Sequence, residues 1–249
     1  MTTGDEPLLG IPDLDAELAP YLPPGYLVVV IGTPGSGTQL LAKQFAQAGV
    51  GSSPVLFYTT AERTVDSQAA FRSFHWDPEP IRFGNLSDDY YQRVLEPQLE
   101  VSRIRERGLR LDDLRNVSRS DVSVAPYSLV GRFLNDLASL DGPFRLVLDS
   151  LDFLLELLEV PDVVNLVRQI RSRTQLLGGK ALVTVEQASL DGRSSAMLED
   201  AADLGITLRS EPNGLTFDHT LEVRKLRNHP ERTQIRRLSI DDTGLHVAP

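Results

Sequence analysis

The sequence predicts an α/β fold with a mainly parallel β-sheet flanked by helices and a C-terminal antiparallel β-hairpin. Three observations lead there. The run Leu27 to Ile31 (LVVVI) is continuous and β-branched, as suits a strand buried on both faces. Short apolar runs of this kind then alternate with helix-periodic stretches up to about Ser210, the signature of parallel strands joined by crossover helices. Beyond that point the chain takes up the two-residue period of antiparallel strands.

In order, the first strand runs into a glycine-rich turn and then QLLAKQFAQAGV, whose apolar residues recur at helical spacing. Val55 to Tyr58 reads as the second strand, Val65 to Phe74 as a helix, and Ile81 to Phe83 as a third strand ending at Gly84 and Asn85. From Asp88 to Ser123 the chain is charged and amphipathic, with Pro97 set to kink it, and reads as a helical excursion from the sheet. Tyr127 to Leu140 is an amphipathic helix. Phe144 to Leu148 is a strand ending in Asp149, and Leu151 to Leu177 is one long helix stopped by Gly178 and Gly179. Ala181 to Val185 (strand), Ala196 to Asp203 (helix) and Ile206 to Leu208 (strand) follow. Leu215 to Val223 and Ile235 to Ile240 then pair as edge strands around NHPER.

Composition narrows the function classes. At 249 residues and 41% hydrophobic content, residues 1–249 suit one domain with its core at about 9–247, and no internal repeat divides it. The absence of cysteine removes disulfides, thiolate metal sites and a cysteine nucleophile. No stretch has the apolar length of a membrane span, and the opening MTTGDEPLLG lacks the basic and apolar regions of a signal peptide, so a cytoplasmic protein is expected. A formal charge of -10 repels phosphate backbones at long range, which disfavours nucleic acid as a partner. The four histidines show no metal-ligand spacing, and Trp76 reads as an ordinary packing aromatic.

The turn Gly32-Thr33-Pro34-Gly35-Ser36-Gly37-Thr38-Gln39 lies between a buried strand and a helix, where a phosphate-binding loop belongs. Set against G-x-x-x-x-G-K-[ST], Gly32 and Gly37 match, while Thr38 replaces the lysine and Gln39 the hydroxyl. The lysine is a point charge on the β- and γ-phosphates and the hydroxyl ligates magnesium, so the loop reads either as a triphosphate cradle with impaired catalysis or as a glycine turn without ligand. Lys43 falls one and a half helical turns beyond the loop, which points it away from phosphates held there. Asp149, ending the apolar strand LVLD, is placed to hold a metal ion, although any strand can end in aspartate.

The run GIPDLDAELAPYLPPGYLVVVIGTPGSG resembles the opening of KaiC-type domains of the RecA superfamily, LVLDS resembles their metal-binding strand, and TLEVRKLRNHPERTQIRRLSIDDTGLHV is similar to their K-x-R hairpin and final strands. The resemblance spans roughly Leu9 to Val247 and lies closest to stand-alone archaeal KaiC-like proteins. It implies a RecA-like fold, ATP with Mg2+ as cofactors, and a homo-oligomer in which Lys225 and Arg227 reach a neighbour's nucleotide, with Arg224, Arg232, Arg236 and Arg237 thickening that patch. A solvated basic hairpin is the alternative for these residues. It also implies a glutamate pair after the second strand, whose first position is here Ala61, leaving Glu62 as the candidate base or simply a helix-start carboxylate. Gln187 is the implied γ-phosphate sensor, and Glu186 beside it could take the water instead.

Two functions follow from these residues. One is an ATP-binding regulatory protein with weak or absent hydrolysis. The other is a nucleotide-independent scaffold for signalling or regulatory protein partners. Recombinase-like DNA binding rests on the superfamily and the arginine-rich tail alone.

Overall fold

Seven consecutive residues, YLVVVIG, form β1 (Tyr26–Gly32), and every one of them is buried. In this computed structural model, which describes residues 6–92 and 127–248, β1 lies in the middle of a nine-stranded sheet. The other strands are β2 (Val55–Thr59), β3 (Ile81–Asn85), β4 (Arg145–Asp149), β5 (Lys180–Glu186), β6 (Leu204–Asn213), β7 (Thr216–Leu226), β8 (Gln234–Asp241) and β9 (Gly244–Val247), in the order β3-β2-β4-β5-β1-β6-β7-β8-β9. The six from β3 to β6 pair in parallel; β6 to β9 pair antiparallel. The expected α/β architecture with a C-terminal antiparallel element is therefore present.

Alternation along β1 divides the core. Val28 and Val30 pack with Leu41 and Phe45 of helix α2 (Thr38–Gln47) on one face. Leu27, Val29 and Ile31 pack on the other with Phe133 of α5 (Tyr127–Ala138), Val167 and Ile170 of α7 (Val160–Leu177) and Leu198 of α8 (Gly192–Ala201). The remaining helices are α1 (Pro12–Leu18), α3 (Thr64–Ser73), α4 (Leu86–Tyr90) and α6 (Asp152–Leu157).

Several expectations change. The helix read across Leu151 to Leu177 is two, because Leu158 and Glu159 are extended and Pro161 in the first turn opens α7. Helix α8 begins ahead of Ala196, because the Asp191 side chain accepts from the Ser194 N–H at 2.7 Å and caps it. Strand β7 is not an edge: it lies between β6 and β8, and the short strand β9 lies beyond β8. Of the excursion read over Asp88 to Ser123, residues 93–123 lie outside the described residues; α4 ends at Tyr90.

The amino ends of β4 and β5 are held by a buried polar cluster. Arg145 has no exposed surface; it donates to the carbonyls of Pro7 (2.5 Å), Leu8 (3.3 Å) and Phe45 (2.8 Å), pairs with Glu6 (3.0 Å) and stacks on the Phe45 ring. Lys180 pairs with the other Glu6 oxygen at 2.8 Å. Asp15 accepts the N–H groups of Leu8, Leu9 and Gly10. Together these groups strap the segment before α1 across the sheet edge opposite the glycine loop. Gln44 of α2 ties the same segment to β9, donating to the Gly10 and Leu245 carbonyls and accepting from the Leu245 N–H.

Removing the buried guanidinium strips the Phe45 carbonyl of its donor, while Tyr26 and Lys180 still donate to the Leu8 and Pro7 carbonyls and Lys180 still pairs with Glu6, so Arg145→Met should lower unfolding free energy in urea by about 1–3 kcal/mol. Burial pulls the Glu6 pKa up, but the Lys180 hydrogen bond and the Arg145 charge outweigh it and hold the carboxyl below its ordinary value. Its stabilising contribution is therefore complete above the unfolded-state value and is lost as pH falls through the lowered folded value. Glu6→Gln should flatten the acid limb of a stability-against-pH curve.

Candidate functional site

In a parallel sheet all carboxyl ends lie along one edge, and here the register brings four of them together. Gly32 of β1 stands beside Glu186 of β5, and Thr59 of β2 beside Asp149 of β4. The segments leaving these strands enclose a cavity of 610 Å³ lined by Gly32 through Leu40, Ala61, Asp149, Ser150, Asp152, Glu156, Thr184, Val185, Glu186 and Ser189. Such a crevice outside the strand carboxyl ends is where open α/β sheets bind ligands.

The glycine loop forms one wall, and all of its predicted residues, Gly32, Thr33, Pro34, Gly35, Ser36, Gly37, Thr38 and Gln39, line the cavity. Gly35 (φ 75°) and Gly37 (φ 91°) occupy the left-handed region, which lets the backbone curl back before α2. A Cβ on Gly32 would lie 1.8 Å from the Thr38 hydroxyl, so a side chain there would force that hydroxyl, and its bond to Ser36, out of place. The loop is pinned by Thr33 N–H to the Leu208 carbonyl (3.1 Å), Ser210 N–H to the Thr33 hydroxyl (3.2 Å) and Ser36 N–H to the Thr33 carbonyl (3.1 Å). The Ser36 and Thr38 hydroxyls bond each other at 2.9 Å. Helix α2 starts at the wall with Gly37 as its N-cap and no side chain accepting from its first turn. Those N–H groups and the helix dipole make the wall an anion acceptor without any cationic side chain.

Opposite stands Asp149, 1% exposed. One carboxylate oxygen accepts from the Thr184 hydroxyl at 2.6 Å; the other, Oδ2, is buried and has no partner among the described residues. Burial pushes the Asp149 pKa up, against the Thr184 hydrogen bond and the Lys43 charge. A buried orphaned carboxylate oxygen facing a polar cavity fits a hard divalent cation such as Mg2+, which takes oxygen ligands and keeps several waters. The Asp149–Ser150 peptide is cis, and Thr60 clasps it by donating its hydroxyl to the Ser150 carbonyl while accepting from the Ser150 N–H.

Other predicted residues stand outside this wall. Glu62 is turned away: Oε1 pairs with the Lys43 ammonium at 2.6 Å and accepts from the Ser67 hydroxyl at 2.7 Å, and only its neighbour Ala61 reaches the cavity. Lys43 is 4% exposed. Gln187 is exposed in a short turn, while Glu186 and Ser189 on either side line the cavity.

Lys225 and Arg227 lie away from the glycine loop: Lys225 pairs with Gly205, level with Val29 in the middle of β1, whereas the level of Gly32 is marked by Leu208, three residues and about 10 Å further along β6. There Lys225 donates to the Glu199 and Asp200 carbonyls at the end of α8, and Arg227 to the Asp200 and Ala202 carbonyls and the buried Asp203 carboxylate. Cations at a helix C-terminus are favourably placed. The surrounding arginines are also paired, Arg224 with Glu199 and Glu222 and Arg236 with Glu17.

Sequence reasoning missed Asp152, Glu156 and Thr184. Both Asp152 oxygens lie within reach of the Glu186 N–H (3.0 and 3.3 Å), which ties the segment after β4 to the end of β5. Asp152 and Glu156, four residues apart, lie on one face of α6 just beyond the strand that ends in Asp149. That spacing was visible in LDSLDFLLE, but the run was read only as a leucine-rich helix.

No curated protein matches the chain in sequence. Among solved structures, the KaiC-like protein PH0186 from the hyperthermophilic archaeon Pyrococcus horikoshii OT3 is similar in fold, with 22% identity, a TM-score of 0.64 and coverage of 97% of this chain and 98% of that one. The family model described as "ATPase: KaiC" matches residues 9–249. With a RecA-like sheet, a glycine loop at the end of its central strand and a buried aspartate facing it, the chain belongs to the KaiC ATPase family of the RecA superfamily.

Proposed function

We propose that this protein is an ATP-binding regulatory protein whose hydrolysis is weak or absent. The observation that carries the reading is the cavity itself: the glycine loop retains its backbone cradle, yet among the described residues no lysine or arginine lines the cavity. Backbone N–H groups and a helix N-terminus hold phosphate in the ground state, whereas rapid phosphoryl transfer needs positioned positive charge on the equatorial oxygens. When bound, Mg2+ supplies part of that charge. Asp149 would hold it, and Thr184 keeps the Asp149 carboxylate oriented by bonding its other oxygen.

Glu62 supports the same conclusion. Its Oε1 is taken up by an ammonium and a hydroxyl, and the residue does not line the cavity, so it is not placed to take a proton from a water held there. The scaffold reading, in which partners bind regardless of nucleotide, is favoured by the same lack of cations.

Restoring the missing groups with Thr38→Lys and Gln39→Thr should raise steady-state phosphate release on the order of 100-fold, while nucleotide titration of the unaltered protein shows saturable binding. Absence of binding with excess magnesium would leave only the scaffold.

On this reading Arg227 holds the end of α8 and the start of β6 within its own chain. Arg227→Ala should cost about 1–3 kcal/mol in urea unfolding and leave ATP affinity unchanged. Loss of affinity with an intact fold would instead establish the role across a subunit boundary that the family resemblance implies.

A further inference from the structure

The charges around the cavity are one-sided. Among the described residues, Asp149, Asp152, Glu156 and Glu186 line it, and no lysine or arginine does. The nearest buried cation, Lys43, is committed to Glu62. Glu156 and Glu186 are exposed, Glu156 on α6 and Glu186 at the end of β5, beside Gly32 at the root of the glycine loop. Within the acidic wall, Asp149 Oδ2 is buried and unpartnered. A free triphosphate brought to the loop therefore meets four carboxylates in a confined cavity, where like charges interact more strongly than in bulk water.

We infer that the site admits the nucleotide only as its divalent-metal complex, and that Glu156 and Glu186 act as a charge filter rejecting metal-free nucleotide. This rests on the nucleotide-binding reading above and specifies which form of the ligand binds. The cation takes the electrostatic place of the loop lysine, so nucleotide and metal are thermodynamically coupled, each raising the affinity of the other by the same factor. Repulsion from exposed carboxylates is screened by salt. Metal-free nucleotide should accordingly bind more tightly as ionic strength rises, the reverse of binding to a lysine-bearing loop.

The test is an equilibrium titration of full-length protein with a fluorescent ATP analogue, in excess magnesium chloride and in EDTA, with circular dichroism confirming that EDTA leaves the fold intact. The expected result is a loss of affinity on the order of 100-fold in EDTA for the unaltered protein, falling to about 10-fold or less for both Glu156→Gln/Glu186→Gln and Thr38→Lys. In EDTA, added sodium chloride should tighten binding to the unaltered protein and leave the glutamine variant unchanged. Equal affinity with and without magnesium overturns the inference while leaving nucleotide binding intact. Failure to bind in magnesium as well overturns both readings, and an EDTA penalty undiminished in the glutamine variant overturns the filter.

Discussion

Everything at the candidate site depends on the parallel register of β2, β4, β5 and β1. Backbone hydrogen bonds between these strands set the carboxyl ends at one level, so Gly32, Asp149 and Glu186 meet although they are far apart in sequence. The register is held from both ends. At the amino edge, Arg145, Lys180, Glu6 and Asp15 fix the first residues of β4 and β5 against the N-terminal segment. At the carboxyl edge, Thr60 bridges β2 to Ser150, and Asp152 bridges the end of β4 to the end of β5. A one-residue slip of β4 would replace Asp149 by Leu148 or Ser150 and turn every side chain of that strand to the other face.

Within that frame, charge decides the chemistry. The glycine loop offers oriented N–H dipoles but no formal charge, and the wall opposite offers formal negative charge. Lys43 supplies a cation close enough to oppose the rise in the Asp149 pKa, yet its burial beside the Phe57 ring demands a partner, and Glu62 is that partner. A single ion pair thus holds away from the cavity both the buried Lys43 and the carboxylate expected to act as base. That pairing is what supports the proposed reading, in which the site holds a metal–nucleotide complex rather than turning it over.

Most of the fold was legible because β1 is an uninterrupted apolar run and because apolar strands alternate with helix-periodic segments. The errors fell where local signals compete. Pro161 was overlooked inside an otherwise helical leucine run, and the cap at Asp191 went unread, shifting the start of α8. Strand β9 is only four residues long and carries little pattern of its own. For the site, the loop and Asp149 were readable because both are punctuated by composition, glycines in one case and a charge ending an apolar strand in the other. The engagement of Glu62 by Lys43 and of Lys225 and Arg227 by the end of α8 was not readable. Those pairings depend on side-chain directions set by packing between elements distant in sequence.

The central claim is that the glycine loop can grip a polyphosphate by backbone alone. A crystal structure of the protein with magnesium and a non-hydrolysable ATP analogue tests it most directly. The account predicts phosphate oxygens within hydrogen-bonding distance of the N–H groups of Gly35 to Thr38, with a magnesium ion on the Asp149 side of the cavity. A cavity without nucleotide, its Ser36 and Thr38 hydroxyls still bonded to each other, would contradict it.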